Sequence, residues 1–463
     1  MIITQRETQA ASLTRTFKAH VLMQVHLKAL GCRLNEAELE SWARDFRDRG
    51  MRVINTASEA DLVVVNTCAV TEEAVRKSRK LLRRVHRDNP QAKLVLSGCL
   101  PSLGGENAAP PPGVDLVVDN LRKDRLPQIV MDSLQLHAAP AAASEPGENL
   151  LFARGRQRAF IKVQDGCRYR CTYCVVTLAR GEERSRPLDE IVTEIERLVA
   201  EGITEVVLTG VHLGGYGSDS GASLVELVRT VLEHTDVSRV RLGSLEPWDI
   251  PDTLWDLFSH RRLMPHLHLP MQSGSDAVLR RMARRCRTGE FRRLLAAGRD
   301  AVPALNVTTD IIVGFPGETG DEYHDTLEFV REMEFGHVHI FPFSPRAGTK
   351  AALLPGAVDG DSVRERSRAL HEAAEAGRRR VLHRETGHTR EVLVEKIDSD
   401  GQAWGYTPNY LRTAIDTGAG GVYENMLVTT TVTGVHRDGH LSAVMNGRSG
   451  QHGVTDPQEQ AQP

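Results

Sequence analysis

Short runs of β-branched and aliphatic residues alternate with longer amphipathic runs through the first third of the chain, and this alternation predicts strands and helices in turn. Strand-like runs occupy residues 25–30, 61–66 and 93–98. After the second of them, one stripe of a predicted helix carries Ala74, Ser78, Leu81, Leu82 and Val85. The connections are long enough to make the strands parallel. Residues 21–130 are therefore predicted to form an α/β domain with a parallel sheet.

The alternation returns after residue 158 with six strand–helix units. The predicted strands contain, in order, the runs AFIKV, TEVVLTG, RVRLGS, HLHLP, NVTTDIIVGF and HVHIFPF. Six such units predict an incomplete, TIM-like (β/α)6 barrel over residues 153–385, with its site at the C-terminal ends of the strands. A charged helix at about residues 362–385 leads out of this barrel.

A different pattern, of short β runs, begins near residue 387. The runs are TREVLVEKI, QAWGYT and LVTTTVTGV, and Asp-Gly pairs at 400–401 and 438–439 are typical of hairpin turns. Residues 386–447 are therefore predicted to form a small β-barrel. The Ala-, Pro- and Ser-rich residues 131–152 read as a linker, and the polar residues 448–463 as a disordered tail.

Composition narrows the class of protein further. The chain has 463 residues and a net charge of −3, with no run of 18 apolar residues, so we expect several globular domains and no membrane span. The first residues lack the pattern of a signal peptide, so we expect a cytoplasmic protein. In that reducing compartment the seven cysteines suit metal binding better than disulfides.

Cys167, Cys171 and Cys174 form a C-x3-C-x2-C motif directly after the first barrel strand. Three thiolates on so short a loop can hold three irons of a four-iron cluster and leave the fourth without a protein ligand. A structural zinc site normally has four ligands, and zinc ribbons use C-x2-C pairs. The motif therefore favours a catalytic iron–sulfur cluster, with structural zinc as the alternative.

Cys32, Cys68 and Cys99 each follow one of the three predicted strands of the first domain. Ligands gather beyond the carboxyl ends of parallel strands, so these cysteines are expected at one sheet edge as a second three-thiolate site. The alternative is three buried structural cysteines. Cys286 has no nearby cysteine and is expected to be unligated.

Several motifs resemble those of one known family. KALGCRLNEAE, VVNTCAVTEEA and LSGC resemble the N-terminal domain of the methylthiotransferases. QDGCRYRCTYC, with the following ARGEERSRP, resembles their radical S-adenosylmethionine (radical SAM) core, and the C-terminal β segment resembles their RNA-binding TRAM domain. The resemblance covers residues 25–445 and implies an enzyme of the radical SAM methylthiotransferase family.

The wording of two motifs is similar to one branch of that family. LGCRLN and NTCAVT look like the branch that acts on N6-threonylcarbamoyladenosine in tRNA, whereas the isopentenyladenosine branch typically has YGCQMN and the ribosomal-protein aspartate branch LGCPKN. The resemblance thus implies methylthiolation at C2 of N6-threonylcarbamoyladenosine, immediately 3′ of the anticodon. The other two branches, and a non-catalytic iron–sulfur RNA-binding or sensor protein, are the alternatives.

The family resemblance also implies the cofactors and partners. It implies two [4Fe–4S] clusters and two molecules of S-adenosylmethionine (SAM). One SAM is bound by the cluster of the C-x3-C-x2-C motif and cleaved by one-electron reduction to a 5′-deoxyadenosyl radical, and the second methylates a sulfur carried by the other cluster. The partners are the tRNA substrate, a one-electron reductant such as flavodoxin or ferredoxin, and a sulfur source, and the protein is expected to be a monomer.

Further site residues are implied by position. The resemblance places SAM beside strand ends and the cluster loop, at Tyr173, Gly210, His212, Ser244, Glu246, Gln272 and Val313. Turn geometry for Gly and Ser, and core packing for Val313, are the alternatives. His266 and His268 alternate on a strand and are expected to be structural.

Two sets of cations are candidates for RNA contact. In the β-barrel, cations and aromatic rings that are suited to stacking on loop bases mix at Arg390, Lys396, Trp404, Tyr406, Tyr410 and Arg412. The alternative is that Trp404 or Tyr406 packs inside the barrel. The arginine run around Cys286, at residues 280–287, is expected to be a solvated helix face rather than an RNA contact.

Overall fold

The computed structural model describes residues 23–103, 110–136, 157–418 and 421–448. Most of the predicted linker and nearly all of the predicted tail lie outside these residues. The linker prediction began too early, because a helix continues to Ser133. Within the described ranges, no helix combines the length and apolar character needed to cross a bilayer.

The first domain is a parallel five-stranded sheet with helices on both faces. Its strands are β1 (Gln24–Ala29), β2 (Arg52–Ile54), β3 (Leu62–Thr67), β4 (Lys93–Gly98) and β5 (Leu116–Val118), in the order β2-β1-β3-β4-β5. Its helices are α1 (Arg33–Asp48), α2 (Glu72–Asp88), α3 (Cys99–Ser102) and α4 (Leu126–Ser133). The predicted parallel α/β architecture is confirmed.

Two separate hydrophobic clusters cover the faces of this sheet. On one face, Trp42 and Phe46 of α1 pack on Val64 of the fully buried strand β3. On the other face, Leu82 and Val85 of α2 pack against alternate residues of β3 and β4. The remaining face of α2 points away from the sheet.

The central domain supplies strands β6 (Arg158–Lys162), β7 (Gln164–Asp165), β8 (Arg184–Ser185), β9 (Glu205–Thr209), β10 (Arg239–Leu242), β11 (His266–His268), β12 (Asn306–Val313) and β13 (His337–Pro342). Parallel bridges from Val240 to Leu263 and from Ser244 to His268 join the sheet β6-β9-β10 to β11-β12-β13. One curved parallel sheet therefore contains the six strands β6, β9, β10, β11, β12 and β13. The predicted partial barrel is confirmed.

Helices cover the outer face of that barrel. They are α6 (Leu188–Ala200), α7 (Leu224–His234), α8 (Leu254–Leu257), α9 (Asp276–Arg281), α10 (Thr288–Ala301), α11 (Gly320–Met333) and α12 (Gly360–Arg384), whereas the short helix α5 (Val176–Arg180) packs against the first domain. Alternate strand residues such as Ile161, Leu208 and Val307 pack against them in one large core. Because strand side chains alternate between faces, the intervening residues line the inside of the barrel, here called the lumen.

The C-terminal domain is a closed five-stranded barrel. Its strands are β14 (Thr389–Ile397), β15 (Ala403–Tyr406), β16 (Arg412–Asp416), β17 (Leu427–Val435) and β18 (Leu441–Arg448), closed in the order β14-β15-β16-β18-β17. Its core contains Val392, Val394, Ile415 and Val428. The predicted small β-barrel is confirmed, with β16 and β18 as strands that the predicted runs did not include.

The turn after β15 closes the lumen at the N-terminal ends of the strands. Arg241 Nη1 donates to the carbonyl of Pro408 over 3.0 Å, and Asn306 Nδ2 donates to the carbonyl of Asn409 over 2.8 Å. Arg158 Nη1 donates to Tyr410 Oη over 2.7 Å. The lumen is therefore blocked at this end, and its mouth lies at the C-terminal ends of the strands.

Candidate functional site

The first cysteine triad lies at one edge of the N-terminal sheet. β1, β3 and β4 are neighbours, so Cys32, Cys68 and Cys99, which follow them, come together. Burial raises the pKa of the Cys68 thiol to about 11, and the neighbouring Cys99 and Cys32 act in the same direction. The strand order thus brings the three thiols to one sheet edge, as ligands of a single centre would need.

Gly31 allows this close approach. Its φ of +103° lies in the left-handed region, and a Cβ on it would lie 2.4 Å from the Cβ of Cys68.

Polar side chains surround the sulfurs: Asn120 Nδ2 lies 3.6 Å from Cys99 Sγ, and Asn35 Oδ1 lies 3.6 Å from Cys32 Sγ. Three thiols at one sheet edge are a donor set that fits an iron–sulfur cluster.

The second triad lies in the loop after β6, at the mouth of the lumen. The backbone holds the loop, since Cys167 N donates to Gly181 O over 3.2 Å and Cys174 N to Cys171 O over 3.1 Å. Val176 N donates to Cys174 Sγ over 3.4 Å, a contact that stabilises a thiolate. Burial raises the pKa of Cys167 and of Cys174 to about 12. A bound metal would displace these protons, and the three sulfur donors fit a cluster.

A buried arginine beside this triad was not expected from the sequence. Arg284 is 4% exposed; its Nη1 lies 4.0 Å from Cys171 Sγ and its Nη2 lies 2.7 Å from Glu246 Oε2. The guanidinium also lies 4.3 Å from the ring centre of Trp248. The prediction of a solvated face for the arginine run was therefore wrong at this position, because tertiary neighbours and not the helix period decide its burial. Cys286, from the same run, is buried in the barrel's outer core.

Several predicted SAM contacts lie around the same mouth. Tyr173 packs against the hydrophobic cluster that contains Phe315. Gln272 has a φ of +78°, which is rare for a residue with a side chain; its N–H donates to Asp310 O over 2.8 Å, and its carbonyl accepts from Ile312 N over 2.9 Å. Ser244 is bridged to β11. A strained residue held by two backbone bonds is typical of a binding site.

His212 and Gly210 follow β9 and are tightly packed. His212 Nε2 lies 2.6 Å from Asp249 Oδ2, and Nδ1 contacts Glu183 Oε1. Burial lowers the pKa of His212, but hydrogen bonds to Asp249 and Glu183 outweigh it and raise the pKa overall. Both ring nitrogens are thus engaged, so His212 fixes the strand end. A Cβ on Gly210 would lie 2.8 Å from Gln164 Oε1.

The structure corrects the prediction for Val313. This side chain is 1% exposed and belongs to the outer core of the barrel. It therefore cannot pack on an adenine in the lumen. Alternation along β12 places its neighbour Ile312 on the inner side, where it packs against the cluster around Phe315 that Tyr173 also contacts.

The predicted RNA contacts divide into two groups. Tyr406 and Tyr410 stack on each other at 4.7 Å, and the Arg158 guanidinium lies 5.1 and 5.0 Å from their rings. These two half-buried tyrosines hold the β-barrel on the central domain, and their role as RNA contacts stays a prediction. Arg412 is exposed and lies 4.3 Å from the ring of Trp404.

The two remaining members of that set are cations. Arg390 forms an ion pair with Glu385 at 2.7 Å, and Lys396 is exposed. Lys396 therefore stays available for a phosphate, whereas Arg390 would have to share its carboxylate partner.

A cluster of buried charges joins the two domains that carry the triads. It consists of Glu38, Lys123, Lys162, Asp165 and Arg180. Arg180 Nη1 lies 2.9 Å from Glu38 Oε1 and 3.0 Å from Asp165 Oδ1. Lys123 and Lys162 lie 3.2 and 3.0 Å from Asp165 Oδ2. The cluster fixes the first domain against β6 and α5, and so holds one triad relative to the other.

One wall of the lumen is polar. His268 Nε2 lies 3.3 Å from Asp310 Oδ1, and the rings of His268 and His339 are 5.6 Å apart. Arg33, directly after Cys32, is exposed, and its Nη2 donates to Tyr410 Oη over 3.3 Å. Burial is the largest cause that lowers the pKa of His339, and the nearby His268 and Arg33 lower it further. We call Arg33, His268, Asp310 and His339 the polar wall. His268, expected to be structural, therefore faces the lumen.

Comparison with known proteins agrees with this arrangement. Residues 24–119 match the model of "Uncharacterized protein family UPF0004", and residues 161–330 match the "Radical SAM superfamily". Among solved structures, the radical S-adenosylmethionine methyltransferase TsrM from Kitasatospora setae has a TM-score of 0.54 at 16% identity, over 72% of this chain and 77% of that chain. At this level of identity the similarity concerns the fold alone.

Relatives of this chain carry two names. A "Threonylcarbamoyladenosine tRNA methylthiotransferase MtaB" of Thermotoga maritima is 39% identical, over 84% of this chain and 90% of that protein. The Bacillus subtilis protein of the same name is 33% identical, over 84% and 89%. A "tRNA-2-methylthio-N(6)-dimethylallyladenosine synthase" of Erythrobacter litoralis is 34% identical, over 82% and 88%. The chain is therefore an enzyme that belongs to the radical SAM methylthiotransferases.

Proposed function

We propose that this enzyme inserts a methylthio group at C2 of N6-threonylcarbamoyladenosine in tRNA, on the 3′ side of the anticodon. The names of the 39% and 33% identical relatives support this substrate. The 34% identical synthase acts, by its name, on the dimethylallyl base, so identity alone does not choose between the two. The polar wall of the lumen is the observation that favours threonylcarbamoyladenosine.

The two triads support a requirement for two iron–sulfur clusters. In the proposal, the cluster that binds SAM is held by Cys167, Cys171 and Cys174, and the cluster that carries sulfur is held by Cys32, Cys68 and Cys99. Together with two SAM molecules, the two clusters would supply the radical and methylthio chemistry that no side chain can provide at an unactivated C–H. The protein residues have positioning roles. Arg284 and Glu246 fix the loop that carries Cys167, Cys171 and Cys174.

The polar wall suits one N6 substituent better than the other. Dimethylallyl is a hydrocarbon, and its burial against Arg33 and the His268–Asp310 pair would leave polar groups without partners. Threonylcarbamoyl carries a carboxylate, a hydroxyl and N–H groups, which can pair with them. Arg33 forms no ion pair with any described carboxylate, and it adjoins Cys32, so a base with its C2 near the first triad could place its carboxylate near this guanidinium.

The experiment compares two anticodon stem–loop RNAs with the reconstituted enzyme. One RNA carries threonylcarbamoyl and the other dimethylallyl at the adenosine 3′ of the anticodon, and mass spectrometry of nucleosides measures the methylthio products. We expect the wild-type protein to modify the first RNA. Arg33→Gln should lower its kcat/KM by about tenfold to a hundredfold, the effect of losing a charge-assisted hydrogen bond.

The matched control is Arg197→Gln, which removes an exposed arginine of α6 that pairs with Glu201. This variant should keep wild-type kinetics. Modification of only the dimethylallyl RNA by the wild-type enzyme would contradict the proposed substrate. An unchanged preference in Arg33→Gln would contradict the role of the polar wall while leaving the substrate assignment intact.

A further inference from the structure

A groove of about 720 Å³ runs along the outer face of α2. It is lined by Glu72, Val75, Arg76, Arg79, Lys80, Arg83, Arg84, Arg87 and Arg346. The helix buries Ser78, Leu82 and Val85 against the sheet, so the helical period turns the cations outward as one stripe. We call this surface the basic groove.

Four of the seven cations form no ion pair within the described residues. Arg84 and Arg87 share Asp88, at 3.3 and 2.9 Å. Arg76, Lys80, Arg83 and Arg346 form no ion pair with any carboxylate in the described part of the chain. In a chain whose net charge is −3, seven cations against one carboxylate in a single groove are a local concentration of positive charge.

A second observation concerns Arg346, which lines the groove together with the α2 cations. The Nε atom of Arg346 is buried, and this nitrogen has no hydrogen-bond partner among the described residues. A buried N–H of this kind costs free energy unless a bound group accepts its hydrogen bond. Arg346 comes from the segment after β13, so the groove is built by two domains rather than by one exposed helix.

The groove begins at the mouth of the lumen. α2 starts four residues after Cys68, and Glu72 N donates to Ser344 Oγ, just beyond β13, over 3.2 Å. From there the 17 residues of α2 extend for about 25 Å. A chain lying in the groove would therefore lead towards the space between the two triads.

We propose that the basic groove binds the phosphates of the RNA strand next to the target nucleotide and so guides that nucleotide into the lumen. This inference rests on the proposed function, because it requires an RNA substrate. Arginine forms bidentate hydrogen bonds with phosphate, and six of the seven cations are arginines. An acidic protein is the competing occupant, but a row of cations with only Val75 as an apolar residue is better suited to a polyanion than to a protein interface.

The test measures binding of an unmodified anticodon stem–loop RNA to the full-length protein by fluorescence anisotropy, at several salt concentrations. The test variant combines Arg76→Gln, Lys80→Gln and Arg83→Gln. We expect affinity to fall at least tenfold. The slope of log Kd against log salt should fall by about 2, since each lost phosphate contact accounts for about 0.7 on single-stranded RNA.

The control variant removes the same charge elsewhere. It combines Arg197→Gln, Arg331→Gln and Arg364→Gln, three exposed arginines in helical ion pairs. Equal affinity and an equal slope in the two variants would overturn the proposal. So would unchanged RNA binding together with slower reduction by flavodoxin in the test variant, which would assign the groove to an acidic protein. Because this RNA is unmodified, the outcome is independent of which N6 substituent the enzyme accepts.

Discussion

Replacing Arg180 by Met tests whether the buried charge cluster holds the two triad-bearing domains together. The change keeps an unbranched side chain, shorter than that of arginine, and removes its charge. It deletes hydrogen bonds to Glu38 Oε1 at 2.9 Å, to Asp165 Oδ1 at 3.0 Å and to Asn35 Oδ1 at 2.6 Å. All four side chains are buried, so water cannot replace the lost donor.

The expected cost follows from this geometry. Three hydrogen bonds involving a charged group would contribute about 1.5–3 kcal/mol each if they were independent. Lys123 and Lys162 remain beside Asp165 and offset part of the loss. We therefore expect a loss of about 3–5 kcal/mol, the usual effect of breaking a buried ion pair. Arg292→Met is the control; it breaks an exposed pair with Glu332, which contributes at most about 1 kcal/mol.

Urea unfolding of the metal-free proteins measures the difference. Trp42, whose Nε1 donates to Lys123 O over 3.0 Å, is a fluorescent reporter next to the cluster. Because a chain of three domains is not expected to unfold in one step, the transition midpoint of this signal is compared between variants. It should fall by about 1.5 M in Arg180→Met. A shift no larger than that of Arg292→Met would refute the argument.

Three further predictions concern the triads and the pH dependence of stability. Cys171→Ala should abolish both 5′-deoxyadenosine formation and methylthiolation, whereas Cys68→Ala should keep SAM cleavage and stop methylthiolation; chromatography of the products decides, and methylthiolation by Cys68→Ala would refute the assignment. Gly31→Ala should lower bound iron from about eight to about four per chain, because its Cβ would lie 2.4 Å from that of Cys68, and unchanged iron would show that the loop adapts. Burial raises the pKa of Glu205, but Arg241 and the other arginines beside it outweigh burial and lower the pKa from 4.5 to about 2. The contribution of Glu205 to folding stability, about 3 kcal/mol, is therefore present above pH 4.5 and lost as the pH falls towards 2. Thermal unfolding measured against pH should show this decline, and Glu205→Gln should flatten it.

The sequence predicted the main strands because their signal is local. An apolar run such as Leu62–Thr67 identifies a buried strand wherever it packs. Five of the missed strands, Arg52–Ile54, Leu116–Val118, Gln164–Asp165, Arg184–Ser185 and Arg412–Asp416, have two to five residues, which is too short for a period to be distinguished. Leu441–Arg448 has eight residues and was missed because its apolar residues Ala443, Val444 and Met445 are adjacent and do not alternate with polar ones. The prediction for Val313 failed because the sequence shows that side chains alternate along this strand, but it does not show which of the two faces the helices cover.

The meeting of each cysteine triad could be predicted from sequence, because a short loop limits the distances within one triad and parallel strands bring the other to a common edge. The sequence alone could not reveal which charges pair across domains. Arg180 lies 142 positions from Glu38, and Arg346 lies far in sequence from the cations of α2. Burial and pairing of such groups depend on neighbours that only the packed domains supply. Tertiary structure therefore determined the buried charge cluster, the polar wall and the basic groove.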